Sequence, residues 1–314
     1  MIAIVSRRLV LALPTLFAVS IVIFVLLNVL PGDPLAGLLS PDATRADRDN
    51  LSHSLGLDLP LPVQYGNWLM HLAQGDLGQS FSRRRPVSEL IGTAFGNTLI
   101  LASTAAIVGL SGGISMGFLA ALRPGQWADR LISLLSMIGL GVPSYWLGLL
   151  LIIVFSATLK WLPSAGMGTT SGDPLDILAH LIMPAIATAA VTIGMTARAA
   201  RAAVIETFGE DFVLTLQAKG LSDPQILKHV ARNAAPPIMT VAGLQLGYLL
   251  GGSVLVETIF SWPGLGRLIY QAIQSRDLRV IQAAVLVISV TFVLMNLLVD
   301  VLQVVVNPRL RRAT

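Results

Sequence analysis

The chain is organised by long apolar runs that are separated by shorter polar stretches. A helix of about 20 residues crosses the ~30 Å hydrocarbon core of a membrane. Six runs of about this length are nearly free of charge, and only the last holds a charge well inside it, Asp300. They lie at about residues 9–30, 97–122, 131–159, 177–197, 236–256 and 281–306. Because the runs do not alternate as barrel strands do, they predict an all-α polytopic membrane protein with six transmembrane helices.

The first run could belong to a secretory signal peptide, because Arg7 and Arg8 precede it. A signal peptide has an apolar core of about 7–15 residues, whereas this run has about 22. We therefore interpret it as a retained anchor helix, which makes it the first transmembrane span.

The amino-acid composition also indicates a membrane protein. Of the 314 residues, 54% are hydrophobic and 12% are charged, and there is no cysteine. Soluble domains carry about 25% charged residues, so a soluble globule is excluded, as are disordered, collagen-like and disulfide-scaffold chains. The net charge of +4 comes from basic residues scattered over loops. This pattern favours a lipid bilayer, and not a nucleic acid, as the partner.

The basic residues of the short loops predict the orientation. If the N-terminus is inside, the inner segments hold twelve lysines and arginines, whereas the short outer loops hold only Lys160, Arg267, Arg276 and Arg279. Cytoplasmic loops carry the excess of Lys and Arg, so both termini are predicted to be cytoplasmic.

This orientation divides the chain into four parts. They are the cytoplasmic N-terminus with the first helix (1–30), an extracytoplasmic segment (31–96), a five-helix core (97–306) and a cytoplasmic tail (307–314). The extracytoplasmic segment has an amphipathic stretch at about residues 63–72, and the core includes a cytoplasmic loop at residues 198–235.

The cytoplasmic loop is predicted to begin with a short amphipathic helix at residues 206–219. Glu210 and Asp211 come early and Lys219 comes late, an order that suits the helix dipole. Gly220 follows, at a place where a left-handed residue often ends a helix. The apolar stripe of this helix comprises Phe208, Phe212, Val213 and Leu216.

A second helix is predicted to start just after Gly220 and to stop at Pro236-Pro237. Ser222 and Gln225 have the spacing of a capping box, and Pro224 suits a first turn. Its apolar face comprises Ile226, Leu227, Val230, Ala231 and Ala234. Two helices around a glycine turn form either an ordinary hairpin at the membrane surface or a docking element for a soluble partner, and both interpretations stay open at this point.

Several motifs resemble one known family. Gln217-Ala218-Lys219-Gly220-Leu221, followed by Arg232-Asn233-Ala234, resembles the glycine-centred loop in the permease subunits of binding-protein-dependent ABC importers. The peptide/nickel subfamily, with its dipeptide, oligopeptide, glutathione and nickel permeases, is the most similar. Further matches are Leu30-Pro31-Gly32-Asp33-Pro34, Leu61-Pro62-Val63-Gln64-Tyr65, Gly75-Asp76-Leu77-Gly78 with Ser80, Val142-Pro143-Ser144-Tyr145-Trp146-Leu147-Gly148, and Glu257-Thr258-Ile259-Phe260-Ser261-Trp262-Pro263-Gly264-Leu265-Gly266.

The resemblance implies a type I ABC importer fold in a bacterial inner membrane. Two homologous permeases would form the translocation path, with two ABC ATPases below and an extracytoplasmic solute-binding protein above. The helix before Gly220 would be the coupling helix that fits a groove on an ATPase. The residues implied in this contact are Glu210, Asp211, Phe212, Leu216, Ala218, Lys219, Gly220 and Leu221.

Two departures from the family pattern are visible. A second basic residue is usual where Leu214 or Gln217 stands, and Leu-Pro is usual where Pro236-Pro237 stands. The first departure could alter the pairing with an ATPase. The solute stays open among di- and oligopeptides, glutathione, a nickel chelate and a short glycan, because the binding protein usually sets selectivity in such systems.

The chain has no phosphate-binding loop, because such a loop ends in Gly-Lys-Ser/Thr and none of Lys160, Lys219 and Lys228 follows a glycine. We therefore expect no enzyme activity and no cofactor here, with ATP and Mg²⁺ on the partner ATPases. The four histidines also lack metal-ligand spacing.

A serine protease is the strongest enzyme alternative, on the strings Gly109-Leu110-Ser111-Gly112 and Gly113-Ile114-Ser115-Met116-Gly117. A nucleophilic serine needs a base within reach, and no histidine lies in the interior of a predicted span, since His180 is only at the edge of the fourth. We interpret the small residues as packing sites between helices.

Candidates for a pore or gate come from three of the spans. Pro143 and Ser144 interrupt the third run and Tyr145 follows; a kink there would line a path or serve packing. Glu257 lies at the outer end of the fifth run, where it could sit at a gate or simply end a helix. We interpret Asp300 as a partnered anchor near the cytoplasmic interface, with a pore-lining or ion-coupling role as the alternative.

Two further alternatives complete the sequence interpretation. Arg83-Arg84-Arg85 forms either a solvated loop or a contact with an acidic face of the binding protein. A secondary transporter would need ionisable groups near the midplane and inverted repeats, and neither is found. A scaffold role would be indicated by the absence of any ATPase partner.

Overall fold

A computed structural model describes residues 2–29, 44–54, 56, 58–168 and 173–306. These residues form helices and one isolated antiparallel bridge between Gln79 and Pro86. A π-helical stretch, Ile152–Thr158, continues the sixth helix. The helices are α1 (Ile2–Val29), α2 (Arg45–Ser54), α3 (Leu61–Ala73), α4 (Val87–Leu122), α5 (Trp127–Gly141), α6 (Ser144–Leu151), α7 (Pro174–Phe208), α8 (Asp211–Ala218), α9 (Asp223–Gly252), α10 (Val254–Ile259), α11 (Leu265–Gln274) and α12 (Leu278–Val306). The predicted all-α class is confirmed.

The helices that could cross a membrane are fewer than the sequence predicts. Within the described residues, three are long and apolar enough, namely Val87–Leu122, Pro174–Phe208 and Leu278–Val299, and a bent pair, Trp127–Gly141 with Ser144–Thr158, can supply a fourth. The first run appears as a shorter apolar helix, Leu13–Asn28. The fifth run lies in the second half of α9 and the start of α10, and prolines and glycines lower the proportion of apolar residues in it. Six spans therefore remain a prediction.

The third predicted span is sharply broken at Pro143-Ser144, where the sequence predicts an interruption. α5 and the stretch Ser144–Thr158 meet at an angle of 108°. Val142 is extended (φ −92°, ψ 122°) and Pro143 caps α6. A residue before proline is driven out of the helical region, and proline has no N–H for the preceding turn. The break therefore has its cause at Val142-Pro143.

The predicted end of the second cytoplasmic helix at Pro236-Pro237 is wrong, because both prolines lie inside α9. A proline inside a helix costs about 3 kcal/mol. One face of α9 nevertheless stays buried on both sides of the prolines, in a cluster that includes Ala200, Ala203 and Val204 of α7. The residues of this face recur every four positions, at Ile226, Val230, Ala234 and Ile238. Burial of this continuous face stabilises the helix through the prolines.

The structure divides into two compact units. The first unit comprises Met1–Arg8, Leu99–Trp262 and Phe292–Thr314, and the second comprises Leu9–Thr98 and Pro263–Thr291. In the first unit, α7 packs against α5, α6, α9 and α10. In the second unit, the start of α4 packs with α11 and α12 around Val87, Leu265 and Ala284.

Small residues let α4 and α7 approach closely within the first unit. A Cβ atom placed on Gly113 would lie 2.9 Å from the Ile193 carbonyl oxygen, and one on Gly117 would lie 2.5 Å from the Ala197 carbonyl oxygen. Ser111 lies in the same continuous helix and donates to the Ile107 carbonyl. The packing interpretation of these motifs is confirmed, and the strand-turn-helix of a hydrolase elbow is not formed here.

The amphipathic stretch of the second unit forms α3, which packs on α1. The Ser20 and Tyr65 hydroxyl oxygens are 2.8 Å apart, and the Phe24 ring meets the Tyr65 ring edge-on at 5.2 Å. Trp68 stacks on Phe24 with a centroid distance of 6.1 Å. Aromatic pairs of this kind add to the stabilisation from buried area. They fix α3 along one face of the first helix.

The close packing of α4 on α7 predicts opposite effects at two glycines of one helix. Gly117→Ala should lower the thermal midpoint of the purified protein, because its Cβ would overlap the Ala197 carbonyl and overpacking typically costs ~1–3 kcal/mol. Gly112→Ala is the matched control, because its Cβ would meet only Ile193 Cγ1 at 3.9 Å. Alanine is the better helix former, so this variant should match or exceed the wild type. Equal midpoints for the two variants would contradict the packing.

Candidate functional site

The most distinctive surface feature of the first unit is the α8 segment, defined as residues 209–222. It begins at Gly209, whose N–H donates to the Glu206 carbonyl at the end of α7 (3.0 Å). Glu210 is extended and precedes α8, and Asp211 lies in the first turn. A carboxylate in the first turn interacts favourably with the helix dipole. A short helix before Gly220 is confirmed, but the predicted range of residues 206–219 is too long, because residues 206–208 belong to α7 and the short helix is Asp211–Ala218.

The α8 segment turns at Gly220, which has a φ of +77°. The Gly220 N–H donates to the Gln217 carbonyl (2.9 Å), and the Leu221 N–H donates to the Leu216 carbonyl (3.2 Å). These two bonds form a Schellman motif, which satisfies carbonyl groups that the end of a helix leaves without partners. The predicted left-handed glycine is confirmed.

The next helix, α9, starts with the predicted cap. The Ser222 N–H donates to Gln225 Oε1 (2.9 Å), and Pro224 lies in the first turn. A proline fits there because its missing N–H would have no partner in the helix. Two adjacent capping motifs therefore fix the chain between α8 and α9.

The apolar side of the α8 segment packs against the neighbouring helices of the first unit. Val213 is buried, and Phe212, Leu216 and Leu221 pack on the same cluster, which includes Val204 of α7 and Ile226 of α9. These three residues belong to the set that the resemblance implied in ATPase contact. Their positions show that they hold α8 on α7 and α9.

The outer side of the α8 segment is exposed. It carries Glu210, Asp211, Ala218, Lys219 and Gly220. It also carries Leu214, which is 64% exposed and which the sequence interpretation did not include among the site residues. Leu214 lies off the apolar stripe of α8, and an apolar residue opposite the buried stripe of an amphipathic helix was the signal that could have identified it. An exposed leucine among charged residues suits a protein contact.

A bidentate ion pair holds the end of α7 that leads to the α8 segment. Arg201 Nε donates to Asp129 Oδ1 (2.6 Å) and Arg201 Nη2 donates to Asp129 Oδ2 (2.8 Å). Asp129 lies in the first turn of α5, is buried, and also accepts from the Gly125 N–H (2.8 Å). Two parallel bonds fix both distance and orientation, so α5 and α7 are held together at this level.

The candidate gate residues are not brought together in one described site. Pro143 and Tyr145 are exposed and Ser144 is half-buried at the start of α6. Glu257 is fully buried, and Ser253 Oγ donates to its carboxylate (3.0 Å). The side chain of Asp300 lies outside the part of the chain that the structure describes. The roles of these five residues in a pore or gate remain predictions.

A buried carboxylate, Asp277, anchors the loop after the Gly75-Asp76-Leu77-Gly78 motif. Ser80 Oγ donates to Asp277 Oδ2 (2.6 Å), and the Ser82 N–H donates to the same oxygen (2.9 Å). Sequence analysis missed this contact, because the partners are 197 residues apart in the sequence. The motif Leu30-Pro31-Gly32-Asp33-Pro34 lies outside the described residues.

An exposed pair lies in the same unit, between α2 and α3. His53 Nδ1 lies 2.7 Å from Asp58 Oδ2, and this hydrogen bond raises the pKa of His53 and lowers that of Asp58. Within the described residues, no group of three or more His, Asp or Glu side chains could hold a metal ion.

The chain has the type I ABC importer fold. Chains from two crystal forms of the inward-facing MetNI methionine ABC transporter match 69% of this chain and 96% of their own length. Their TM-scores are 0.57 and 0.54, at 19% and 20% identity. At this level of identity the likeness shows the fold alone.

The chain belongs to the family of binding-protein-dependent transport system inner membrane components. Residues 113–312 match this family, and residues 1–102 match the N-terminal family of such membrane components. The glutathione transport system permease proteins GsiC of Escherichia coli O6:H1 and Salmonella typhimurium (strain LT2) are 41% identical over 308 residues, which is 98% of each chain. The GsiC of Escherichia coli (strain K12) is 40% identical over the same length. The resemblance to peptide/nickel permeases is confirmed.

The Schellman turn predicts that residue 220 tolerates asparagine better than valine. A β-branched residue at φ +77° is strained by about 1–2 kcal/mol, whereas asparagine visits this region readily. Nothing lies within 4 Å of the Cβ position, so a steric clash does not contribute to the difference between the valine and asparagine variants. Gly220→Val should therefore speed amide hydrogen exchange in α8 about tenfold, since ~1.4 kcal/mol corresponds to that factor. Gly220→Asn should stay near the wild type, and equal exchange in both variants would contradict the role of the turn.

Proposed function

We propose that this chain works as one of two homologous permease subunits in an ATP-driven importer. Two ABC ATPases would dock on one side of the membrane, and a solute-binding protein would deliver solute on the other. The family and the fold support the permease role. The observation that carries the proposal is the α8 segment, which is rigidly capped, packed on α7 and α9, and exposed on its outer side.

The outer side of the α8 segment is proposed as the surface that contacts an ATPase. Its exposed residues combine an apolar contact at Leu214 with the carboxylates of Glu210 and Asp211 and the ammonium of Lys219. Phe212, Leu216 and Leu221 support this surface from below. We propose that the departure from the family pattern at Leu214 makes the contact more apolar than in relatives with a basic residue there.

ATP chemistry is proposed to take place on the partner chains. The sequence has no glycine followed by lysine, so a phosphate-binding loop of the usual form cannot be assembled in this subunit. The chain then needs neither ATP nor Mg²⁺ of its own. Its part in the cycle is to change conformation when the ATPases close and open.

The proposed mechanism is alternating access driven through the α8 segment. ATP binding closes the ATPases, and the two α8 segments of the permease pair move with them. Because α8 is fastened to α7 and α9, both helices have to move with it, which opens the path toward the binding protein. Hydrolysis resets the path inward. Such coupling requires that the ATPases interact differently with the two permease states.

The proposed solute is glutathione or a peptide of similar size. The support is the 40–41% identity to proteins named as glutathione transport permeases, over nearly the whole length of both chains. Uptake of radiolabelled glutathione into proteoliposomes that hold the complete complex and its binding protein tests this assignment. If the complex takes up another peptide but not glutathione, the proposed solute is wrong and the proposed importer function stands.

The α8 surface predicts that Leu214→Asp disrupts ATPase binding without disrupting the fold. A buried unpaired carboxylate at the interface would cost well over the ~1.4 kcal/mol of a tenfold change, so ATPase affinity should fall by at least about tenfold. Leu214 is 64% exposed, so the thermal midpoint of the isolated subunit should stay near the wild type. The measurement is co-purification of tagged ATPase subunits together with coupled uptake.

Leu175→Asp is the matched control, because Leu175 is 74% exposed at the opposite end of α7. It adds the same charge at an exposed leucine and should leave ATPase binding unchanged. Normal ATPase binding by Leu214→Asp would exclude the α8 surface as the docking site. Loss of binding in both variants would show that an added charge alone is responsible.

The proposed orientation predicts opposite labelling of two single cysteines. The chain has no cysteine, so Leu214→Cys and Arg84→Cys each introduce one unique thiol at an exposed position. In intact spheroplasts, a membrane-impermeant maleimide should label the thiol at position 84 and not the thiol at position 214. Inside-out vesicles should show the reverse. The opposite pattern would invert the topology, and it would place the α8 segment away from the ATPases.

A further inference from the structure

A basic cavity lies in the second unit, between the start of α4 and α11. Its volume is about 400 Å³, and the α4 side contributes Arg83, Arg85 and Glu89 while the α11 side contributes Arg267 and Gln271. Among the described residues that line it, three are arginines and one is a glutamate. The lining therefore has a formal excess of two positive charges, which would attract an anion.

The loop that carries Arg83 and Arg85 is built to hold a fixed shape. The Ser80 N–H donates to the Arg85 carbonyl (2.9 Å), and the Val87 N–H donates to the Gly78 carbonyl (3.0 Å). The buried carboxylate of Asp277 accepts from Ser80 and Ser82 and so fastens the loop to the start of α12. A loop with this many internal bonds presents its arginines at defined positions.

The loop directs alternate arginines to the cavity. Arg83 and Arg85 line it, whereas Arg84, which has a φ of +52°, does not. Arg83 donates to the neutral Gln271 side chain, and Arg85 pairs with Glu89. Arg83 is thus oriented without being neutralised by that contact. An oriented guanidinium in a concave site is suited to a carboxylate, which it can bind through two parallel hydrogen bonds.

Apart from Thr93 and Gly264, the remaining wall of the cavity is apolar. It is formed by Leu90, Ala94 and Leu268, all buried, together with Pro263. A concave site with an apolar wall and a few convergent polar groups is typical of a small-molecule site, and ~300–1,000 Å³ is the usual size. A protein partner would more often meet a broad, flat surface than a cavity of this size.

We propose that this cavity binds the carboxylate of a small anionic solute. The inference rests on the proposed importer function and specifies the chemistry of its solute. Glutathione has two carboxylates and one ammonium group, so its net negative charge matches the excess of positive charge in the lining. The arginines then raise the local concentration of the solute at this cavity and orient it by one carboxylate.

Equilibrium dialysis of the nanodisc-embedded complex, without its binding protein, tests the proposal. The probes are radiolabelled glutathione and radiolabelled glutarate. Glutarate tests the binding of a carboxylate whether or not glutathione is the solute. The double variant Arg83→Gln/Arg85→Gln should raise both dissociation constants by about tenfold or more, because charge-assisted hydrogen bonds are the strong class. Arg267→Gln tests the same cavity from α11. Glutathione diethyl ester, whose masked carboxylates leave it with a net positive charge, should bind the wild type no more tightly than the double variant.

Arg84→Gln is the control, because it removes one arginine charge from the same loop outside the cavity. It should leave both dissociation constants near the wild type. The proposal is overturned if the double variant binds both probes as the wild type does, or if Arg84→Gln weakens binding as strongly. A separate titration measures the binding-protein concentration that is needed for ATPase stimulation. If the double variant raises this concentration and leaves both dissociation constants unchanged, the arginines contact the binding protein and the proposal is overturned. Wild-type uptake with the binding protein is measured separately, and its absence would refute the proposed function instead.

Discussion

The constraint on which the first unit depends is the backbone-to-backbone approach of other helices to α7. A lipid tail is as apolar as leucine, so apolar burial alone does not bring helices together in a bilayer, and close packing has to do so. Glycines supply the room: a Cβ on Gly139 of α5 would lie 2.8 Å from the Ala190 carbonyl oxygen, and one on Gly194 of α7 would lie 2.7 Å from the Ser136 carbonyl oxygen. Such contacts fix both the position of α7 along its axis and its rotation about that axis.

Because α7 has 35 residues, the helix that is fixed by this packing also delivers the α8 segment. At ~1.5 Å per residue its length exceeds the hydrocarbon thickness, so part of it extends beyond the apolar region. The Asp129–Arg201 pair and the buried Val204 and Val213 hold that extension against α5, α8 and α9. We expect a force applied at α8 to move these helices as one body, since a packed core does not deform continuously.

Sequence reasoning predicted the local structure well where a side chain acts on its own backbone. Gly220 and the Ser222-Gln225 cap appear as expected, because their bonds span only a few residues. The two proline sites show the limit. Pro143 ends a helix and Pro236 does not, although the local rule is the same, because α9 keeps a continuous buried face across its prolines. That face depends on α7, and the contact of Ser80 with Asp277 likewise depends on residues far apart in the sequence.

Scarcity of charge makes the location of each charged group informative in this chain. Only 12% of the residues are charged, and a buried charge is stable only with partners. The buried carboxylates follow this rule, since Asp129 accepts from Arg201, Asp277 from Ser80 and Glu257 from Ser253. These groups are structural because their bonds are made within the fold. The arginines of the cavity also have partners within the fold, since Arg83 donates to Gln271 and Arg85 pairs with Glu89, but the lining has more positive than negative groups around an open volume. An anion from outside would meet this formal excess of positive charge.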